Sequence, residues 1–122
     1  EVICEDIHIL PRSIIRGFTV ILNNENEIIS GSSDNTIKIW NTTTNQLRLK
    51  LTQHSRDINS MIINNKNELI TGSNDNFIKI WNMTTGECKR NITGHTDWVK
   101  ALIMNRNDEL ISGSNDNTIR IW

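Results

Sequence analysis

Cysteine is scarce in this chain, and the two that occur, Cys4 and Cys88, stand far apart with no Cys or His beside them at ligand spacing. Neither a zinc site nor a redox pair is expected from them, leaving two buried or half-buried thiols as the expectation. Positive charge is not in excess: 13 basic against 14 acidic residues give a formal charge of -1. Such a balance offers no field for a phosphate backbone or an anionic leaflet, so neither nucleic acid nor a membrane surface is an expected partner. No apolar run approaches the ~18 residues of a spanning helix, and Glu1-Val2-Ile3-Cys4-Glu5-Asp6 has neither the basic start nor the apolar stretch of a secretory signal. A cytoplasmic or nuclear location is the resulting expectation. Because the chain opens on Glu1 and not on Met, it reads as cut from something longer.

Self-similarity is what the sequence does have. Ser30-Gly31-Ser32-Ser33-Asp34-Asn35-Thr36-Ile37-Lys38-Ile39-Trp40 recurs as Thr71-Gly72-Ser73-Asn74-Asp75-Asn76-Phe77-Ile78-Lys79-Ile80-Trp81 and as Ser112-Gly113-Ser114-Asn115-Asp116-Asn117-Thr118-Ile119-Arg120-Ile121-Trp122, with a period of 41 residues. Inside each unit the apolar residues alternate or run short, β-branched types dominate, and turn residues punctuate them, which specifies strands. In the middle unit the pattern predicts strands at Ile58 to Ile63, Leu69 to Ser73, Phe77 to Trp81 and Glu87 to Ile92. Asn64-Asn65-Lys66-Asn67, Asn74-Asp75-Asn76 and Thr84-Thr85-Gly86 supply the turns between them. Four antiparallel strands per 41 residues is the signature of a propeller blade. The expected fold is all-β, about three blades' worth.

The Gly94-His95 pair, the Ser-Gly-Ser-x-Asp stretches and the closing Ile-Trp at this period resemble the WD-repeat family, whose repeats run ~40–45 residues with four strands each. The resemblance covers residue 18 to the end. In such blades the Asp of the second turn, a His, the Ser or Thr of the second strand and the Trp indole form one hydrogen-bonded relay. The resemblance gives that role to His54, Thr71, Asp75 and Trp81, and to His95, Ser112, Asp116 and Trp122. Ser, His and Asp also suggest nucleophilic catalysis, but an indole and an imidazole buried between strands need these partners for structure, since each unpaired group costs ~1–3 kcal/mol. No catalytic residue, metal ligand or cofactor is expected. In the first unit Ser30, Asp34 and Trp40 are present, but Ser13 stands in place of the His and Pro11 to Arg16 match the family poorly, so that relay should be incomplete. Asn41 and Asn82 replace the family's Asp after the Trp, an acceptor without charge.

The expected organisation is an outer strand of a shared blade at 1–10, blade 1 at 18–51, blade 2 at 58–92 and the first three strands of blade 3 at 98–122. Three blades fall short of the four to eight that close a ring. Either further blades belong to a longer chain, or copies complete one another as a homo-oligomer with exchanged terminal strands. The resemblance implies a scaffold that presents loops to protein or peptide partners, and it places partner-binding candidates at Ser33, Asn74 and Asn115 before the turn Asp and at Arg16, Asp57 and Trp98 before the first strand. Trp98 has two readings: an anchor at the mouth, or a ring buried between blades. Basic residues Arg48, Lys50, Lys89 and Arg90 fall on outer strands, where charge discourages edge-to-edge aggregation. Two other functions compete with a plain scaffold. One is the substrate receptor of a ubiquitin ligase behind a BTB or F-box type domain. The other is a propeller enzyme, which would need an asymmetric cluster of acids or metal ligands that the repeats do not supply.

Overall fold

A computed structural model describes residues 18–122. The strand expected at 1–10, together with Ser13 and Arg16, lies outside the described residues. Eleven strands make three antiparallel meanders. Blade 1 is β1 (Phe18–Leu22), β2 (Glu27–Ser32), β3 (Ile37–Asn41) and β4 (Gln46–Leu51). Blade 2 is β5 (Ile58–Ile63), β6 (Leu69–Ser73), β7 (Ile78–Trp81) and β8 (Cys88–Ile92). Blade 3 has β9 (Val99–Met104), β10 (Leu110–Ser114) and β11 (Ile119–Ile121). Phe77 and Glu87, expected inside strands, sit one residue before β7 and β8, because the turns that precede them hold their backbone.

The turns explain the abundance of Asn. Among the described residues, the seven non-glycine residues with positive φ are all Asn or Asp: Asn26, Asn35, Asn45, Asn67, Asn76, Asp108 and Asn117. Their side chains tolerate the left-handed region that two-residue and G1-type turns require. Six of them are two positions repeated at the 41-residue period, and the seventh, Asn45, has the left-handed Gly86 as its counterpart (φ 79°).

The core lies between the blades. Alternation along a strand sends neighbouring residues to opposite faces, so Leu69 packs against blade 1 while Ile70 packs against blade 3. Ile29, Ile37, Ile39 and Leu51 of blade 1 meet Ile58, Met61, Leu69, Trp81 and Met83 of blade 2. Ile70 and Ile78 then meet Val99, Leu102 and Leu110. At the centre of each contact a glycine of the second strand receives a β-branched residue from the next blade's first strand. A Cβ on Gly31 would lie 2.8 Å from Ile58 Cγ2, and one on Gly72 only 2.7 Å from Val99 Cγ1.

Blade 3 has no blade against its far face among the described residues. Ile37 and Ile78 are 0% and 1% exposed, whereas their counterpart Ile119 is 78% exposed. A Cβ at Gly113 would touch only Ala101, at 3.9 Å. Blade 1 likewise exposes Val20 and Leu22, whose counterparts in blade 2, Met61 and Ile63, are buried and half-buried. The first strands also differ. β5 and β9 carry bulges opposite Ser73 and Gly113/Ser114, but β1 pairs without one, setting Phe18 opposite Ser32 where Ile58 and Val99 stand in the other blades.

These glycine contacts predict unequal responses to one extra methyl. Gly72→Ala should lose about 1–3 kcal/mol by overpacking against Val99, while Gly113→Ala should stay within ~0.5 kcal/mol of the parent; urea denaturation of both variants checks this.

Candidate functional site

His54 stands in the segment between β4 and β5, Thr71 at the middle of β6, Asp75 in the turn after β6, and Trp81 at the end of β7. The fold brings them into one line. Trp81 Nε1 donates to Thr71 Oγ1 at 2.9 Å, Thr71 Oγ1 lies 2.7 Å from His54 Nε2, and His54 Nδ1 lies 2.7 Å from Asp75 Oδ2. An indole can only donate, so the threonine oxygen accepts from it and turns its own proton to Nε2. The proton on Nδ1 then faces the carboxylate, and all the bonds point the same way. In blade 3 the distances repeat: Trp122 to Ser112 at 2.9 Å, Ser112 to His95 at 2.7 Å and His95 to Asp116 at 2.7 Å. The His and Trp rings meet edge-on, with centroids 6.0 Å apart in both blades.

The carboxylate ends of the relays are held by backbone as well. Asp75 takes the N–H groups of Ser55 and Phe77 at 3.1 and 3.0 Å, and Asp116 those of Thr96 and Thr118 at 3.1 and 2.9 Å. Burial alone would raise the Asp75 carboxyl, but the hydrogen bond and charge of His54 and the two N–H groups outweigh it and hold the group below its ordinary value. At Asp116 burial pulls the same way, and the Thr118 hydroxyl, His95 and the backbone donors overcome it. The hydroxyls of Thr71 and Ser112 are fully buried and already accept an indole N–H. No substrate reaches a nucleophile there, so the arrangement is a structural relay that ties four segments of each blade.

In blade 1 the described residues hold the two ends of such a relay. Trp40 Nε1 reaches Ser30 Oγ at a longer 3.3 Å, and Asp34 takes both the N–H and the hydroxyl of Thr36, at 3.0 and 2.6 Å. The Asn41 and Asn82 carboxamides do what an aspartate in their place would do by geometry alone. Asn41 Oδ1 accepts the N–H groups of Thr43 and Thr44, and Asn82 Oδ1 those of Thr84 and Thr85.

A second polar set was not anticipated from the sequence. Asn23, Asn64 and Asn105 each receive two N–H groups of their own hairpin and donate to Glu27, Glu68 and Glu109. Arg48 of β4 clamps Glu27 through both Nε and Nη2, the latter at 2.8 Å, and Lys89 of β8 pairs with Glu68. Both carboxyls are held below their ordinary value, first by those cations and then by the Asn amides, against the effect of burial. Arg48 and Lys89 therefore join the outer strand to the first hairpin of their blade, a more specific task than keeping edges apart. The repeat of Asn and Glu at 41 residues was the available signal.

The loop candidates are drawn together in pairs. Asn74 N donates to Asp57 O and Asn115 N to Trp98 O, each at 2.9 Å. Asn74 is also committed between blades, since Asn59 Nδ2 donates to its Oδ1 at 2.6 Å and to Val99 O at 2.9 Å. Ser33 is half-buried just after β2. Trp98 is 40% exposed, with the Lys100 ammonium 5.6 Å from its ring centroid and its N–H on Asp97 Oδ1 at 2.7 Å. No further blade lies beside it among the described residues. Among the described residues no group of His, Cys, Asp and Glu is placed to hold a metal ion, and no helix is long and apolar enough to cross a membrane. Cys88 is a free, half-buried thiol.

Three stretches, 8–41, 45–82 and 86–122, match the family described as WD domain, G-beta repeat. The chain belongs to the WD-repeat family. Among solved structures, the crystal structure of the WD40 beta propeller domain of Doa1 is similar at 23% identity with a TM-score of 0.77. That likeness covers 88% of this chain and 36% of that one, so these WD repeats span about a third of the length of the propeller they resemble, and the likeness concerns the fold. No curated protein matches the chain. WD-repeat propellers generally act as protein-interaction scaffolds and are typically not enzymes.

The lowered carboxyls of Asp75 and Asp116, together with those of Glu27 and Glu68, set the acid response of the WD repeats. A carboxyl that binds its proton more weakly when folded than the ~3.9 of the unfolded chain stabilises the fold above that value and loses its contribution as pH falls through the folded pKa. Stability should be level from neutrality to about pH 5 and fall below about pH 4. Asp75→Asn should flatten that fall while lowering stability at neutrality, read from urea midpoints across the pH range.

Proposed function

We propose that the WD repeats act as a rigid, non-catalytic scaffold whose loop face, carrying Trp98, Lys100, Asp57 and Asn115, holds a protein or peptide partner. The observation that supports this most strongly is Trp98. A ring 40% exposed, topped by an ammonium at 5.6 Å, stands immediately before β9, whose first residue, Val99, is fully buried. A large aromatic fixed on a rigid base contributes contact area at little entropic cost, which is what binding hot spots use. The half-buried Asp97 beside it and Asp57 at the equivalent position of blade 2 provide acceptors for a partner's backbone or basic side chains. Asn74, whose side-chain oxygen is engaged between blades, positions the loop, and the contact role passes to its counterpart Asn115, which is exposed.

Peptides selected from a random library against the chain should bind Trp98→Ala at least about tenfold more weakly, a hot-spot loss above 1 kcal/mol, while the melting temperature stays unchanged. Equal affinity for the parent and the variant would contradict the assignment.

A further inference from the structure

Blade 2 has four strands and a blade packed against each of its faces. At the end of its strands opposite the loop face carrying Trp98, a cavity of about 290 Å³ lies wholly within this blade, between the hairpin that joins β5 to β6 and the turn that joins β7 to β8. Lys66, Asn67 and Glu68 line it from the hairpin, Asn82 and Thr84 from the turn, and Lys89 from β8. One substitution accounts for the gap. In blade 1 the Thr42 hydroxyl donates to the Asn26 carbonyl at 2.6 Å and ties the turn to the hairpin. Blade 2 has Met83 in that place, and its side chain is buried in the core shared with blade 1. The tie is lost, and the space stays open.

The lining supplies donors that the fold does not use. Asn82 Oδ1 accepts the N–H groups of Thr84 and Thr85, which leaves its Nδ2 to the cavity. Among the described residues neither that amide, the Asn67 carboxamide, the Thr84 hydroxyl nor the Lys66 ammonium has a hydrogen-bond or ion-pair partner. The one carboxylate present is already answered, since Glu68 takes the Asn64 amide at 2.9 Å and the Lys89 ammonium. The charge of Lys66 is therefore in excess, and Lys89 keeps N–H donors to spare. This excess belongs to blade 2 alone, because Glu25 and Asn107 stand in the place of Lys66 in the other two blades. We propose that the cavity binds a phosphate group, held between Lys66 and Lys89 and by the Thr84 hydroxyl and the Asn82 and Asn67 amides. Lysines act as point charges with rotatable donors, and donors converging from several directions suit a tetrahedral oxyanion better than a planar carboxylate, which a guanidinium fork would match. Lys66, Asn67 and Thr84 are exposed, so the group can be the free ion or the end of a phosphorylated side chain.

The chain is titrated with sodium phosphate, and separately with phosphothreonine capped at both ends, while its amide shifts are followed by NMR against sodium chloride at matched ionic strength. Saturable shifts should centre on residues 66–68, 82–84 and 89, and the probe that binds more tightly identifies the source of the group. Lys66→Glu, which installs the residue that blade 1 carries at this place, should bind either probe at least about tenfold more weakly, the scale of one charge-assisted hydrogen bond lost. Its melting temperature should match that of the parent, and Trp98→Ala should bind both probes as the parent does. Shifts that chloride reproduces, shifts centred elsewhere, or equal affinity of Lys66→Glu and the parent would overturn the proposal.

Discussion

A blade is a small antiparallel sheet with apolar side chains on both faces, and neither face is wide enough to bury itself. Leu69 and Ile70 are adjacent in β6 yet belong to two different cores, so every blade is stable only as far as its neighbours cover it. Gly31 and Gly72 set the closeness of that cover, because Ile58 and Val99 occupy the space a side chain would need. Each buried isoleucine contributes on the order of 1.5–3 kcal/mol. Ile119 and Ile121, at 78% and 63% exposed, contribute little in the arrangement described.

The polar groups follow from this sandwiching. Sheets pressed together on both faces leave no water for an indole N–H or an imidazole, and the Trp–Thr–His–Asp line answers each donor with an acceptor until the charge reaches the turn. Thr71 and His54 are buried, while Asp75 is anchored by two backbone N–H groups at the rim. The Asn–Glu–cation set does the corresponding task on the first hairpin of each blade. In the third copy Glu109 keeps its Asn, and no cation pairs with it among the described residues.

Much of this was legible in the sequence, because it is local or exactly periodic. The strands of blade 2 follow from alternation and turn chemistry, and the eight relay residues from the resemblance to WD-repeat blades that the 41-residue repeat reveals. What was not legible depends on partners far apart in sequence or on register. The Arg48–Glu27 pair joins residues 21 positions apart, and charges at such a distance carry no local pattern. The missing bulge in β1 shifts Phe18 into the place that counting by 41 assigns to Gly17. Trp98 was undecided, since exposure of a loop ring is set by what packs over it and not by its neighbours in sequence.

If mutual burial of faces governs stability, protection should follow blade position and not sequence pattern, because the three repeats are nearly the same in composition. Native-state hydrogen exchange read by mass spectrometry tests this directly. The account predicts the slowest amides in β5, β6 and β7, covered on both sides, and exchange faster by orders of magnitude in β10 and β11. Equal protection across the three blades, or the greatest protection in blade 3, would contradict it.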